Sequence, residues 1–563
     1  TRPSRGALVR CAPEAIPQME ANPRMEASDD VCVLLTWGDG SYGALGHGER
    51  LSETVPRVVL ALVPTELRGV SCGSATTFAL TADGAFSFGA AVGGVLGQGA
   101  VRGDTSCVCT PQRVTGLRGG LTSLACGDRH ALAAGEGGEL YAWGDGGDGR
   151  LWDCPGEAPE PAISLAVDAG VRAAAASAQA DSSVAAVACG SVHSLALTRS
   201  GVVFSWGPPG APQLGHGVLP ISSQRQGGRT PPQRGGRGER EYASPTGGRR
   251  LSQREQIDRN GRMSPEKPRV VVRSQSPVAL PTPEDWSDDC EWGVVPAWSS
   301  GAARAPPPAA TRPPPPSGGG RAPAASSGDA PLLVPDVRSV CGLAAGVSHS
   351  AALSAKGRLW MFGDNGDGQL GLGDGGARRI SGPQRVPALV SVKVRTVACG
   401  GFFTAAVVAG GGMVTFGANE CGQLGHGGRE AERAPRLVRA LEGTPIAQVA
   451  CGACHLVALS ETGALHVCGR NGDGELGTGD LVGANAELPR RLPLFGDPGV
   501  CTVAVACGSF HTAAVVRLSR RRLGGLVGER AAAAVEERIA RRERGVGVRN
   551  KGGGRGGCEG CLV

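Results

Sequence analysis

The chain has 563 residues, of which 92 are Gly and 40 are Pro, with only 4% aromatics. Gly and Pro together average about 12% in globular proteins, and this excess argues against a helical bundle or a doubly wound sheet. It favours many short strands joined by turns, with unstructured stretches between them. The net charge is +6, but residues 225–273 hold 13 Lys and Arg against 5 Asp and Glu, and residues 517–555 hold 12 against 4, so the remainder is net acidic.

No apolar run reaches the length of about 18 residues that a membrane-spanning helix needs. Starting at Thr1 rather than Met, the chain is expected to be a fragment. Of the 19 Cys, six recur at one repeated position. That pattern suits small buried thiols rather than a disulfide framework. A reducing, intracellular compartment is expected, cytoplasmic or nuclear.

In chain order, residues 1–30 are expected to be a disordered N-terminal segment. Residues 31–217 and 331–517 then repeat one pattern. A Trp/Phe-Gly step recurs at Trp37-Gly38, Phe88-Gly89, Trp143-Gly144, Trp206-Gly207, Phe362-Gly363 and Phe416-Gly417, with Cys468-Gly469 as a degenerate copy. A Leu-Gly step follows at Leu45-Gly46, Leu96-Gly97, Leu214-Gly215, Leu370-Gly371, Leu424-Gly425 and Leu476-Gly477, with Leu151-Trp152 in the third unit. A Cys-Gly or Ala-Gly step comes next: Cys72-Gly73, Cys126-Gly127, Cys189-Gly190, Ala345-Gly346, Cys399-Gly400, Cys451-Gly452 and Cys507-Gly508. His stands three residues after five of these glycines, as His130, His193, His349, His455 and His511, whereas Thr76 and Phe403 take its place in the other two.

Each unit supplies four strands. His511-Thr-Ala-Ala-Val-Val and Gly463-Ala-Leu-His-Val-Cys are short alternating or β-branched runs, and Ser460-Glu-Thr-Gly463 is a hairpin turn. Gly363-Asp-Asn-Gly-Asp-Gly-Gln-Leu-Gly371 is a tight loop, and Pro383, Pro435 and Pro489 open the next strand with a preset φ. The Cys/Ala-Gly steps suit a crowded place where strands converge. A single such sheet cannot bury both faces, so the units must stack. The fold expected is all-β: a seven-bladed β-propeller of four-stranded blades. Pairing of Val31–Trp37 with His511–Val516 would close it and remove two sheet edges.

The fourth unit is interrupted after Gly217. Both Pro268-Arg-Val-Val271 and Pro331-Leu-Leu-Val334 could resume it. Spacing to the next Ala-Gly step favours Pro331 and makes residues 218–330 one disordered Gly/Pro/Arg-rich insertion. Arg234-Gly-Gly-Arg-Gly-Glu-Arg240 resembles segments that bind RNA loosely, or is a plain linker. Ser264-Pro265, Ser276-Pro277 and Thr282-Pro283 fit proline-directed phosphorylation. Pro313–Pro316 favours polyproline II, and the acids of Glu284–Glu291 lie beside Trp286 and Trp292 as a docking motif would. In the third unit, Ala169–Ala180 reads as a loop expansion or a short helix. Residues 518–563 are expected to be a basic helix and a disordered tail. The helix spans Leu526–Arg544, with Val527, Ala531, Val535 and Ile539 on one stripe.

The pattern Trp-Gly … Gly-Gln-Leu-Gly … Pro-x-x-Val … Val-x-Cys-Gly-x-x-His-x-x-Ala-Leu resembles the regulator of chromosome condensation repeat family. Gln369-Leu370-Gly371, Gln423-Leu424-Gly425 and Ala450-Cys451-Gly452-Ala453-Cys454-His455-Leu456-Val457-Ala458-Leu459 carry the resemblance best. It implies either guanine-nucleotide exchange on the small GTPase Ran, with chromatin attachment, or a scaffold, ubiquitin-ligase or ultraviolet-B photoreceptor role. The photoreceptor needs a Trp cluster on the propeller face, and here Arg129, Val192, Ser348, Cys454 and Phe510 precede the motif histidines. The exchange factor's wedge-like β insertion is not recognisable.

No nucleophile elbow, phosphate-binding Gly-Lys-Ser/Thr loop or metal-ligand helix is present. Cys558-Glu-Gly-Cys561 lacks a second pair for zinc, and Gly560-Cys-Leu-Val563 fails the prenylation pattern. No catalytic residue, cofactor or metal is expected. Asp128, His130, His193, His349, His455 and His511 are candidates for a partner-binding face. The five histidines also admit a structural role, bonding neighbouring backbone near each blade's inner strand. The expected partner is a small GTPase or another protein, with weak nucleic-acid contact through the basic insertion and tail. A scaffold without exchange activity is the alternative.

Overall fold

The computed structural model describes residues 30–99, 106–151, 157–163, 181–217, 332–480, 483–528 and 532–540. Two strands come first, β1 (Asp30–Gly38) and β2 (Glu53–Val58). The first blade is β3 (Leu67–Cys72), β4 (Thr76–Thr81), β5 (Gly84–Ala90) and β6 (Cys107–Arg113). The second is β7 (Leu121–Cys126), β8 (His130–Gly135), β9 (Leu140–Asp145) and β10 (Glu157–Ile163). The third is β11 (Val184–Cys189), β12 (Ser194–Thr198), β13 (Val203–Trp206) and β14 (Leu332–Leu333). The fourth is β15 (Val340–Ala345), β16 (His349–Ser354), β17 (Leu359–Asp364) and β18 (Arg379–Arg385). The fifth is β19 (Val394–Cys399), β20 (Phe403–Val408), β21 (Met413–Gly417) and β22 (Glu432–Leu437). The sixth is β23 (Ile446–Cys451), β24 (His455–Ser460), β25 (Leu465–Gly469) and β26 (Ala486–Arg491). The seventh joins the two ends of the chain, in the order β2, β1, β28 (His511–Ser519), β27 (Val500–Cys507).

These are seven four-stranded antiparallel blades of a closed propeller, as the repeat count implies. The closure is long: β1 pairs with β28 from Asp30 opposite Ser519 to Gly38 opposite His511. The second strand of most blades is buried from end to end, as in Thr76–Thr81, His130–Gly135 and Phe403–Val408. Neighbouring blades cover both its faces, so its sequence is a run of small and branched apolar residues rather than a strict alternation. The core therefore lies between blades. Phe403, Ala405 and Val407 of the fifth pack on Leu456, Ala458 and Cys468 of the sixth, and Leu34 and Val515 of the seventh on Ala79 and Phe88 of the first.

Sterics explain the repeated glycines. Gly38 has φ +102, and a Cβ there would lie 2.6 Å from Phe510 O. At the Cys/Ala-Gly steps, a Cβ on Gly73 would lie 2.4 Å from Gly127 O, one on Gly127 2.4 Å from Gly190 O, and one on Gly508 2.6 Å from Gly73 O. That last contact brings the circle back to its start. Gly346→Ala would place a methyl group 2.4 Å from Gly400 O and from the His349 ring. We expect it to destabilise the protein by about 1–3 kcal/mol, seen as a lowered Tm. Gly375→Ala, which meets nothing within 4 Å, should stay within about 0.5 kcal/mol of the parent.

In the third blade, β14 has two residues, Leu332 opposite Ser205 and Leu333 opposite Phe204, and Val334 N donates to Val203 O at 3.0 Å. The insertion 218–330, the Ala-rich run 169–180 and the tail beyond 540 lie outside the described residues. The C-terminal helix differs from expectation. It starts earlier, as α1 (Arg520–Val527), where the Ser519 hydroxyl accepts from Arg522 N, and it breaks at Gly528, φ +75. Residues 532–540 are helical again. Leu523, Val535 and Ile539 are buried against the seventh blade, and Arg538 donates to Leu60 O at 2.9 Å.

Candidate partner-binding face

Two sets of connections share one face of the propeller. The Cys/Ala-Gly turns, from Cys72-Gly73-Ser74 to Cys507-Gly508-Ser509, line the mouth of the central channel. The loop after most Trp/Phe-Gly steps is bonded to one of these turns: Asp39 N to Phe510 O, Asp145 N to Arg129 O, Asp364 N to Ser348 O and Ala418 N to Phe402 O, all at 2.8–2.9 Å.

The loops are internally braced. Asn365, Asn419 and Asn471 each accept through Oδ1 from the backbone N of the Leu in the Leu-Gly step, at 3.0–3.2 Å. Gln369 Oε1 accepts from Asp367 N, Gln423 Oε1 from Cys421 N, and Glu475 Oε2 from Asp473 N. These bonds account for the Gln-Leu-Gly pattern: the Gln side chain curls back and holds its own loop. In the second blade Arg150 takes that place, paired with Asp145 at 3.2 Å and Asp148 at 2.8 Å.

The five motif histidines are buried, with 0–1% exposure, so they have no atom to offer an incoming protein. They bond side-chain hydroxyls of the next blade: His130 Nε2 with Ser194 (3.0 Å), His193 with Ser350 (2.8 Å), His349 with Thr404 (3.1 Å), His455 with Thr512 (3.0 Å) and His511 with Thr77 (2.9 Å). Each hydroxyl donates its one proton to a loop carbonyl of the preceding blade, such as Ser194 to Arg150 O and Thr512 to Glu475 O. The hydroxyl oxygen therefore accepts from Nε2–H, which fixes the tautomer. Nδ1 of His130, His193, His349 and His455 has no protein partner. Burial holds His130, His193 and His455 down to about 3, and His349 and His511 down to about 4.

This clasp explains both exceptions to the motif. Where the next blade carries a hydroxyl after its motif position, the preceding blade has His. Where it carries Ala131 or Leu456, the preceding blade has Thr76 or Phe403. Thr76 turns instead to the Cys126 thiol, at 3.2 Å. The signal was present in the sequence as a pairing between residues of successive units. Reading each unit alone misses it. The Trp residues add a second link: Trp37, Trp143 and Trp206 donate through Nε1 to Glu475 O, Val95 O and Arg150 O.

What reaches solvent on this face is mainly acidic. Asp39, Asp128, Asp145, Asp148, Asp364, Asp367, Glu420 and Asp473 are exposed or half-buried, set against Arg129, Arg429, Arg470 and the buried Arg150. Tyr42 and Phe402 are large side chains exposed among them, at 46% and 42%. Of the six candidate face residues only Asp128 is exposed, and its carboxylate accepts from Ser191 Oγ. Among the described residues no group of three or more His, Cys, Asp and Glu is arranged to hold a metal ion, and no helix is long and apolar enough to cross a membrane.

The model of the regulator of chromosome condensation (RCC1) repeat matches residues 33–80, 83–134, 356–407, 411–459 and 462–515. A second model of the same repeat matches 121–150, 184–207, 340–369, 394–423 and 446–475, and together they cover more than half of the chain. The chain is 37% identical over 180 residues to the mitochondrial RCC1 domain-containing protein RUG3 of Arabidopsis thaliana, covering 31% of this chain and 40% of that protein. It is 26% identical over 493 residues to the E3 ubiquitin-protein ligase HERC2 of Mus musculus, covering 86% of this chain and 8% of HERC2. The chain thus spans less than half the length of these curated relatives. Among solved structures it resembles Prp20p of Saccharomyces cerevisiae, with TM-score 0.58 and 18% identity over 91% of this chain and 95% of that one. It also resembles human WBSCR16, with TM-score 0.56 and 19% identity over 86% and 98%. At these identities the structural likeness is one of fold. Repeat matches, clasped blades and ring closure agree, and the chain belongs to the RCC1 repeat family.

Proposed function

We propose that the chain is a protein-binding regulator that works through the face carrying its Cys/Ala-Gly turns and Gly-rich loops, and that it promotes guanine-nucleotide exchange on a small GTPase of the Ran type. The observation that carries this reading is the braced acidic face with Tyr42 and Phe402 exposed on it. A rigid surface of this kind binds without an ordering penalty, and its charge selects a basic patch on the partner. Exchange then needs only differential binding: a face that holds the nucleotide-free GTPase more tightly than the loaded one speeds release, with no covalent chemistry. Prp20p, a structural neighbour, has been described with its binding to Gsp1p and histones. An intracellular location, cytoplasmic or nuclear, belongs to the same proposal.

The test is release of a fluorescent guanine nucleotide from a panel of small GTPases at micromolar protein. At least one should lose nucleotide about tenfold faster, a barrier change of about 1.4 kcal/mol. Asp128→Lys with Asp367→Lys should slow association most at low salt. A panel in which no release rate changes would contradict exchange activity. The HERC2 match, in which the repeat occupies a small part of a ligase, favours a second reading as a scaffold whose basic residues 225–273 and 541–555 contact nucleic acid or acidic partners. In that case removing residues 218–330 and 541–563 together should weaken salt-sensitive nucleic-acid binding; unchanged binding would dismiss it.

A further inference from the structure

Two free thiols meet where the fifth and sixth blades adjoin. Cys421 sits in the loop between β21 and β22, and Cys454 in the turn between β23 and β24. Backbone bonds hold both in place: Cys421 N donates to Gln423 Oε1 at 2.9 Å, and Cys454 O accepts from Arg470 N at 2.8 Å. Gly469 is wedged between the two segments. A Cβ on it would lie 2.4 Å from Cys454 O and 3.1 Å from Gln423 Cβ, so loop and turn press on the same backbone atom. The Cys421 and Cys454 thiols are neighbours across this seam, and Arg470, Arg429 and Glu420 are the charged groups around Cys421. Arg470 is itself fixed, 4.6 Å over the Phe510 ring and paired with Asp473 and Glu475. Both cysteines are half-buried, within reach of a small oxidant.

We propose that Cys421 and Cys454 form a reversible thiol-modification site for hydroperoxides, in which Cys421 is the attacking nucleophile and Cys454 the resolving thiol that closes a disulfide between the two blades. In the first step the Cys421 thiolate attacks one peroxide oxygen. An S–O bond forms, the O–O bond breaks, and the leaving hydroxide (or alkoxide, from an organic hydroperoxide) takes up a proton to become water (or the alcohol). Cys421 is oxidised by two electrons to the sulfenic acid and the peroxide is reduced. In the second step the Cys454 sulfur attacks the Cys421 sulfur. The S–S bond forms, the S–O bond breaks, and the hydroxyl leaves as water with the Cys454 proton. Two thiols of a cellular reductant such as glutathione reverse the reaction by exchange.

The surroundings divide the two roles. The neighbouring Cys454 thiol, together with Arg470, lowers the pKa of the Cys421 thiol, whereas the neighbouring Cys421 thiol and burial raise that of Cys454. The thiolate is the reactive form. The repeated cysteines do not compete, because burial pushes Cys126, Cys399 and Cys507 up to about 12. The disulfide would tie a loop of one blade to a turn of the next beside Ala453, which lines the channel mouth.

The experiment treats the full chain with hydrogen peroxide, blocks remaining thiols with an alkylating reagent and maps the peptides by mass spectrometry. The expected product is a disulfide-linked peptide pair joining Cys421 to Cys454, lost on treatment with dithiothreitol. In Cys454→Ser, dimedone should trap a sulfenic acid at Cys421; in Cys421→Ser, Cys454 should stay reduced. Without oxidant, Cys421 should alkylate about fivefold faster at pH 7 than the exposed Cys501. Oxidation scattered over other cysteines with no 421–454 link would overturn the proposal, and so would equal alkylation of Cys421 and Cys501. Neither readout depends on a GTPase, so this result and the exchange assay fail separately.

Discussion

Lowering the pH from 7 to about 4.5 is expected to unfold the propeller cooperatively, because the inter-blade clasps depend on neutral imidazoles. His130, His193 and His455 are held at about 3 and His349 and His511 at about 4, all chiefly by burial. In the unfolded chain the same groups titrate near 6.5. Their folded values lie below the unfolded ones, so the stability they support is complete above pH 6.5 and is lost as the pH falls towards 3–4. Within that window the unfolded state binds protons that the native state refuses. Each histidine then removes about 1.4 kcal/mol per pH unit, and the five together about 7 kcal/mol per unit. Domains have about 5–15 kcal/mol to lose. His47 and His426, bonded to Thr36 and Thr415 and held at about 4, act in the same direction. Circular dichroism against pH measures this, and a stability curve flat from pH 7 to 5 would contradict it. His349→Phe with Thr404→Leu copies the natural Phe403 and Leu456 arrangement. It should lessen the steepness by about 1.4 kcal/mol per pH unit while the protein stays folded.

Removing residues 30–38 is expected to prevent folding altogether. That strand contributes Val33, Leu34, Leu35 and Trp37, all fully buried. Each such side chain accounts for about 1.5–3 kcal/mol of burial, so the sum is comparable to the whole net stability of a domain. Its loss also leaves β28 and β2 with open edges, which invite association with other chains. Trp37→Ala is the milder version. It empties a site packed against Phe495 and Gly477 and removes the bond to Glu475 O. A loss of about 3–5 kcal/mol in chemical denaturation is expected. A truncated chain with native circular dichroism and a sharp unfolding transition would show that the closure is dispensable.

The fold could be read from the sequence because its constraints are steric and local. Gly38 and its counterparts recur because a side chain there meets the carbonyl of the residue before the motif position, as Gly38 meets Phe510 O. Seven copies of such a constraint leave little choice of architecture. The site was harder to read. Asp128 and the five histidines stand in one motif, yet one reaches solvent and the others lie between blades, a difference set by which way each side chain turns from the same short loop. The acidic character of the face appears only once Asp148, Asp367 and Glu420 are known to share a side with Asp128, and those residues are far apart in the chain. The pairing of His349 with Thr404, and of Phe403 with Leu456, crosses from one unit to the next and has no signature inside either. The C-terminal helix begins ahead of its apolar stripe because Ser519, the last residue of the preceding strand, caps it, and Gly528 interrupts the stripe that runs from Val527 to Ile539.

Amide hydrogen exchange over residues 31–37 tests the closed ring most directly. These amides belong to the strand paired between β2 and β28. If the ring is closed, they should exchange as slowly as those of Phe403–Val408 in the fifth blade, through global unfolding alone. Exchange within seconds, as from a free chain end, would contradict the account.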